Sequence, residues 1–349
     1  MSQIVPLDDA KLLGELRALI ESARQRAAVA VNRELVLLYF DLGQRLRVEI
    51  LGEERAEYGK RIVATLSQQL TAEFGKGFTH SNVVRMMQLA EHFPDRATVE
   101  KLSETLSWSH FVEVLALRDP LEREFYATMS HASRWSVRAL RREIAGALWT
   151  RTALSRNTEE LMRQELAALR DEDKWTPELV FRSPYLLSFL DLADTYSERD
   201  LELALVREIE RFLLELGEGF AFVARQKRMV IDGRDFSLDL LFYHRGLRRL
   251  VALDLKIGPF EPAFKGQMEL YLRWLDKHER APGEEAPIGL ILCAEAGKEQ
   301  LELLQIGQAD IHVAEYITRQ LLSALLHQKI EAARQRQQLS APDEQEENE

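Results

Sequence analysis

The run Val251-Ala252-Leu253-Asp254-Leu255-Lys256-Ile257 constrains this chain more than any other segment. It is apolar enough to be a central strand covered on both faces, yet it carries two charges. Side chains two apart on a strand point the same way, so Asp254 and Lys256 share a face. Burying even a neutral polar group without a partner costs on the order of 2–7 kcal/mol, so two charges there need a reason. Asp239 makes the same demand within Leu238-Asp239-Leu240-Leu241-Phe242.

The surroundings supply a scaffold. Residues 220–231 and 236–243 alternate like strands, and Asp232-Gly233 between them is a hairpin signal. A hairpin or meander through these strands sets Asp239 beside Asp254. Residues 201–216 read as an amphipathic helix ended by Gly217, and Pro262 opens a helix to about residue 276. Residues 288–293 form a fully apolar strand that contains Cys293, the single cysteine, a small buried hydrophobe in this reading. One cysteine excludes an internal disulfide or a zinc cluster and fits a reducing cytoplasm. The order is helix, three strands, helix, strand, which gives a mixed sheet flanked by helices.

The first half of the chain reads as helices. Apolar residues recur at helical spacing over 12–20, 29–46 and 59–74, where Gly75-Lys76-Gly77 intervenes. Thr79 or Ser81 can cap a helix that stops before Pro94, and shorter helices follow at 108–117, 121–129 and 133–149. Helix, glycine turn, helix is the outline of a helix-turn-helix module, in which Thr79, His80, Ser81, Asn82 and Arg85 face DNA. A plain helical hairpin with a polar first turn fits the same residues.

The formal charge of -11 argues against a generic nucleic-acid binder. Five of the negatives, however, fall in the stretch 341–349, which has no basic residue. Residues 134–156 hold six arginines against one glutamate, and Arg138, Arg141 and Arg142 are either phosphate contacts or a solvated face. No apolar run approaches the roughly 20 residues of a membrane helix, so no membrane partner is expected. The expected organisation is α+β with two domains: an all-helical domain over 1–155 for DNA or a partner, a junction over 156–195, an α/β domain over 196–332, and an acidic tail over 333–349.

Two adjacent carboxylates repel unless a cation lies between them, and a hard divalent ion, Mg²⁺ with Mn²⁺ as a substitute, satisfies both. Lys256 would then hold a water or a phosphate, and the chemistry would be metal-assisted phosphodiester hydrolysis. Spacing alone leaves a structural Asp–Lys pair on a sheet rim equally open.

Asp239 followed by Asp254-x-Lys256 resembles the PD-(D/E)xK motif, and Gln267-Met268-Glu269-Leu270-Tyr271 resembles the Q-x-x-x-Y element of RecB-like nucleases. Longer stretches are similar to the YhcG-type family: Phe212 to Gly217, Phe220 to Val223, Leu240 to His244, Leu253 to Gly258 and Gly266 to Leu272. Trp108-Ser109-His110 and Trp135-Ser136-Val137-Arg138 match that family's N-terminal domain. The resemblance implies a restriction-endonuclease-like C-terminal domain that cuts DNA. It implies that Asp239 and Asp254 bind metal, Lys256 supports the attacking water, and Gln267 and Tyr271, one helical turn apart, orient substrate.

This chain departs from the pattern in carrying Asp254 where the family has Glu, and in lacking a proline before Asp239. The resemblance also implies a further acid from the first helix. A helical wheel at 100° per residue favours Glu208 over Glu210 for that position, although both fit solvated helix charges. His244 and His110 read as structural. Two other functions fit the same chain: a DNA-docking platform without turnover, or an interaction factor whose N-terminal helices form a homo-oligomer.

Overall fold

The computed structural model describes residues 9–51, 56–152, 157–193, 195–306 and 310–318; the acidic stretch expected at 333–349 lies outside them. The chain divides into two units, the described parts of Met1–Trp149 with Asn157–Lys174, and of Thr150–Arg156 with Trp175–Glu349.

The first unit is helical. In chain order its helices are α1 (Asp9–Leu51), α2 (Ala56–Phe74), α3 (His80–His92), α4 (Arg96–Ser103), α5 (Trp108–Leu115), α6 (Pro120–Ala132) and α7 (Val137–Ala145). The helix starts follow from local chemistry. Asp95 caps α4 through the N–H groups of Ala97 and Thr98, and Asp119 caps α6 with Pro120 in the first turn. Ser136 caps α7 through Ala139. The short α8 (Leu148–Arg151) carries the chain across to the second unit, and the chain then returns for α9 (Glu159–Glu172). The stretch expected to be a junction therefore holds a packed helix. Met162, Leu166 and Leu169, at positions i, i+4 and i+7 of α9, are buried, and Arg163 and Arg170 both reach Glu124 on α6.

The second unit begins with α10 (Pro177–Val180) and β1 (Tyr185–Leu186), then α11 (Glu198–Arg207) and α12 (Ile209–Leu216). Strands β2 (Phe220–Ile231), β3 (Arg234–His244) and β4 (Arg249–Leu255) follow, then α13 (Pro262–His278), β5 (Ile288–Cys293), α14 (Lys298–Leu303) and β6 (Ile311–Ile317). The sheet order is β1-β6-β5-β4-β3-β2. β2, β3 and β4 pair antiparallel, and β4, β5, β6 and β1 pair parallel, so the sheet is mixed as expected. Asp232 and Gly233 both have positive φ, the conformation that a tight two-residue hairpin demands.

Side-chain alternation sorts the sheet into two layers. Val251, Leu253 and Leu255 of β4 pack with Leu201, Leu205, Phe212 and Leu216 of α11 and α12. Leu250 and Ala252 face the other way, with Met268, Tyr271, Leu272 and Leu275 of α13. Each fully buried Leu or Phe contributes about 1.5–3 kcal/mol, so both layers are held firmly. Asp254 and Lys256 continue the parity of Leu250 and Ala252 and open toward α13. Cys293 is fully buried, and burial pushes its thiol up to about 12, as befits a small hydrophobe. The fold is α+β: helices in the N-terminal unit, and a mixed sheet with flanking helices in the C-terminal one.

Candidate active site

β4 is central because it pairs with β3 on one side and β5 on the other. Its register with β3 matches Leu240 to Leu253. The pairing ends there, and just beyond it the Asp239 and Asp254 carboxyls lie within hydrogen-bonding reach of each other. Asp239 Oδ2 accepts the backbone N–H of Leu255 at 2.8 Å, which fixes that carboxylate across the strand pair. Lys256 Nζ lies 2.9 Å from Asp254 Oδ2 and 3.9 Å from Glu198 Oε2. Asp254 is 3% exposed and Lys256 9%. The ammonium also sits 5.0 Å from the centre of the Phe264 ring on α13.

Burial dominates the electrostatics. It raises Asp254 to about 6, helped by the neighbouring Asp239 charge and opposed by Lys256. Asp239 is raised for the same first reason, with Glu202 adding to it and the Leu255 N–H and Lys256 opposing. Burial pulls Lys256 down, but Asp254, Glu198 and Asp239 outweigh it and leave the ammonium more basic than usual. A cation between the two carboxylates would relieve all the repulsion at once.

Gln267 and Tyr271 come together as expected, one turn apart on α13, with Gln267 Nε2 donating to Tyr271 Oη at 2.5 Å. Tyr271 is buried in the α13 layer, and its hydroxyl is raised by burial and feels the charges of Asp254, Lys256 and Asp239. The pair therefore borders the carboxylates.

Glu208 does not join them. The helix expected to run unbroken over 201–216 is interrupted at Glu208, whose φ of -104° and ψ of 33° separate α11 from α12. A wheel drawn through the break misplaces it: Glu208 is 42% exposed and pairs with Arg211 at 3.3 Å. Glu210 is exposed as well. Besides Glu198, the α11 acid that reaches the carboxylates is Glu202, only 4% exposed. Ser197 and Asp200 start that helix with a reciprocal cap, which sets Glu202 between Leu201 and Leu205 on the buried face. Gln226 Nε2 donates to Glu202 Oε2 at 2.7 Å and to Asp239 Oδ1 at 3.2 Å. Arg225 donates to the other Glu202 oxygen at 2.5 Å. The signal for Glu202 was a charge inside the apolar run Leu201-Glu202-Leu203-Ala204-Leu205. Gln226 had no comparable signal.

Among the described residues no three His, Cys, Asp or Glu side chains converge as a metal-holding cluster. The donors that do fit a hard cation are the paired carboxylates of Asp239 and Asp254, both disfavoured as neighbouring anions. Mg²⁺ keeps several waters and needs only one or two carboxylates, so two suffice.

In the helical unit Asn82 is committed to the fold: Nδ2 donates to Gly77 O and Oδ1 accepts from Trp108 Nε1 at 2.8 Å. Arg141 pairs with Glu113 at 2.7 Å and Arg142 with Glu143 at 2.8 Å, while Arg138 is exposed and Arg85 half-buried. His110 is structural. Its Nδ1 accepts the Ser107 N–H, and Nε2 donates to Trp135 O at 2.9 Å, joining the two tryptophan motifs. His244 is equally structural, held between Leu247 N and Glu218 O.

Residues 178–331 match the YhcG PDDEXK nuclease domain, and residues 15–151 match the DUF1016 N-terminal domain. The YhcG protein of Escherichia coli (strain K12) is 35% identical over 334 aligned residues, covering 87% of this chain and 88% of that one. This chain belongs to the YhcG family. The acids and lysine of β3 and β4, with the Gln267–Tyr271 pair, all lie inside the YhcG nuclease-domain match. A repair endonuclease from Pyrococcus abyssi shares 23% identity over 36% of this chain and 49% of its own, about half its length. Its TM-score of 0.25 carries no argument. Among the described residues, no helix of this YhcG-family chain is long and apolar enough to cross a membrane.

Proposed function

We propose that this protein is a divalent-metal-dependent nuclease that hydrolyses phosphodiester bonds of DNA. One observation carries the reading: the Asp239 and Asp254 carboxyls meet at the end of the β3–β4 pairing, with Lys256 2.9 Å from a buried Asp254. Asp239 and Asp254 would hold Mg²⁺, or Mn²⁺ in its place. When bound, the ion supplies a Lewis acid for the phosphate and a source of nucleophilic water at neutral pH.

The chain's own groups do the rest. The Leu255 N–H holds Asp239 in place. Lys256, kept charged by Asp254, offers a cation to the charge that develops on the phosphate. Gln267 and Tyr271, tied to each other, border the site and orient substrate. Glu202 takes the part assigned in the sequence to Glu208. The helical unit, with Arg138 exposed beside the paired Arg141 and Arg142, is a DNA or partner-binding module, and a homo-oligomer built on it is compatible with this reading.

The test is cleavage of single-stranded, duplex and branched DNA with Mg²⁺, with and without a chelator. Wild type should cut only with the ion, and Asp254→Ala and Lys256→Ala should each lose at least 100-fold, in line with roughly 2.7 kcal/mol of transition-state stabilisation. Equal cutting by all three proteins overturns the assignment.

A further inference from the structure

Gln226 has φ of +47°, the left-handed region that a non-glycine residue enters only at a cost. Several other described residues share this sign, but Asp173 ends a helix, and Asp232 and Arg248 sit in turns. Gln226 lies in the interior of β2, a place where extended backbone is the rule. The ladder between β2 and β3 matches Arg225 to Leu240 and Lys227 to Leu238 and skips Gln226 and Asp239. On β3 the alternation slips at the same point, since Leu238 and Leu241 both pack in the α13 layer. Both strands are thus distorted where the two residues face each other.

The side chain shows what the distortion achieves. Ser237 Oγ donates to Gln226 Oε1 at 2.7 Å, so the amide can turn only its NH₂ group toward the acids. That NH₂ donates to Glu202 on α11 and to Asp239 on β3, and it is the side-chain link between them. Strained backbone persists where the surrounding contacts over-determine it, and the contacts here are two carboxylates of the candidate site.

We propose that Gln226 is a positioning residue that fixes the Glu202 carboxylate against Asp239 and so sets the affinity of the site for a divalent cation. The proposal rests on the metal-dependent reading above. It does not make Gln226 a ligand: its amide acts through the two acids.

The test is calorimetric titration of the full chain with Mn²⁺, with thermal unfolding followed with and without the ion. Gln226→Gly keeps the left-handed backbone without penalty and removes the amide. Its metal-free midpoint should change little, because relief of the left-handed strain offsets the lost hydrogen bonds, while its dissociation constant for Mn²⁺ weakens at least fivefold. Gln226→Glu keeps the length but replaces the donor by a further acid against Glu202 and Asp239. Its metal-free midpoint should fall, and the rise on adding Mn²⁺ should exceed that of wild type; a merely structural role would lower both midpoints alike. Should Gln226→Gly fail to fold, the Gln226→Glu shift decides alone. Wild-type affinity in Gln226→Gly, or an unchanged Mn²⁺ shift in Gln226→Glu, overturns the proposal while the metal site stands. If wild type binds no Mn²⁺ that Asp254→Asn abolishes, the metal reading falls and the proposal with it.

Discussion

Asp239 meets the Asp254 carboxyl and also accepts the backbone N–H of Leu255, the residue between Asp254 and Lys256. A site acid is therefore also a structural acceptor for the central strand. The two roles separate by substitution. Asp239→Ala leaves the Leu255 N–H without its acceptor and should cost about 1–3 kcal/mol in denaturant unfolding. Asp239→Asn keeps an oxygen there and should cost less than half as much. Both should lose metal-dependent cleavage. Equal stability of the two variants would contradict the structural role.

Asp254 should destabilise the metal-free protein. Burial raises it to about 6 from the ordinary 3.8, so the folded state holds a proton that the unfolded chain releases between those values. Stability from this group is complete below about pH 4 and is lost as pH rises through 6. Asp254→Asn removes the effect and should add on the order of 2 kcal/mol at pH 8, with the gain vanishing near pH 4. Urea titrations in chelator at the two pH values check it. A variant less stable than wild type at pH 8 would contradict it.

His244 acts in the opposite sense. Its Nδ1 accepts the Leu247 N–H and Nε2 faces Glu218 O, so protonating Nδ1 would set donor against donor. Burial lowers the imidazole to about 4. The unfolded chain takes up its proton near 6.5 and the folded chain only near 4, so this contribution falls as pH drops through that window, by on the order of 3 kcal/mol. His244→Gln should flatten the dependence between pH 6.5 and 4. Gly219 is tied to the same ring: with φ of +93°, its missing Cβ would lie 2.8 Å from Nε2.

Glu202 and Glu208 offer a direct contrast on one pair of helices. Glu202→Gln should weaken Mn²⁺ binding and cleavage at least tenfold, and Glu208→Gln should change neither by more than about twofold, as for a solvated pair with Arg211. The reverse ranking would restore the acid that the helical wheel favours.

These contrasts show what the amino-acid sequence reveals and where it stops. Asp254 and Lys256 were legible because charges in an apolar strand violate a period of two, and Asp239 because Asp232-Gly233 fixes a hairpin whose next strand returns alongside. Gln267 and Tyr271 followed from helical spacing on α13. Glu202 carries a signal, a charge within an apolar run, but a wheel drawn unbroken through Glu208 favours that residue instead, and the break there removes it from the face. Gln226 was hidden for a deeper reason. Its left-handed backbone accompanies side-chain bonds to Ser237, Glu202 and Asp239, contacts distant in sequence, and no local preference of glutamine announces it. In the helical unit, the polar first turn of α3 suggested a DNA-facing surface, but Asn82 turns inward to Trp108.

Crystals grown with Mn²⁺, examined at a wavelength where that ion scatters anomalously, test the convergence of the acids most directly. The account predicts one strong peak in the C-terminal unit within about 2.0–2.5 Å of oxygens from both Asp239 and Asp254, absent in Asp254→Asn crystals. A peak that touches neither carboxylate, or none at saturating ion, would contradict it.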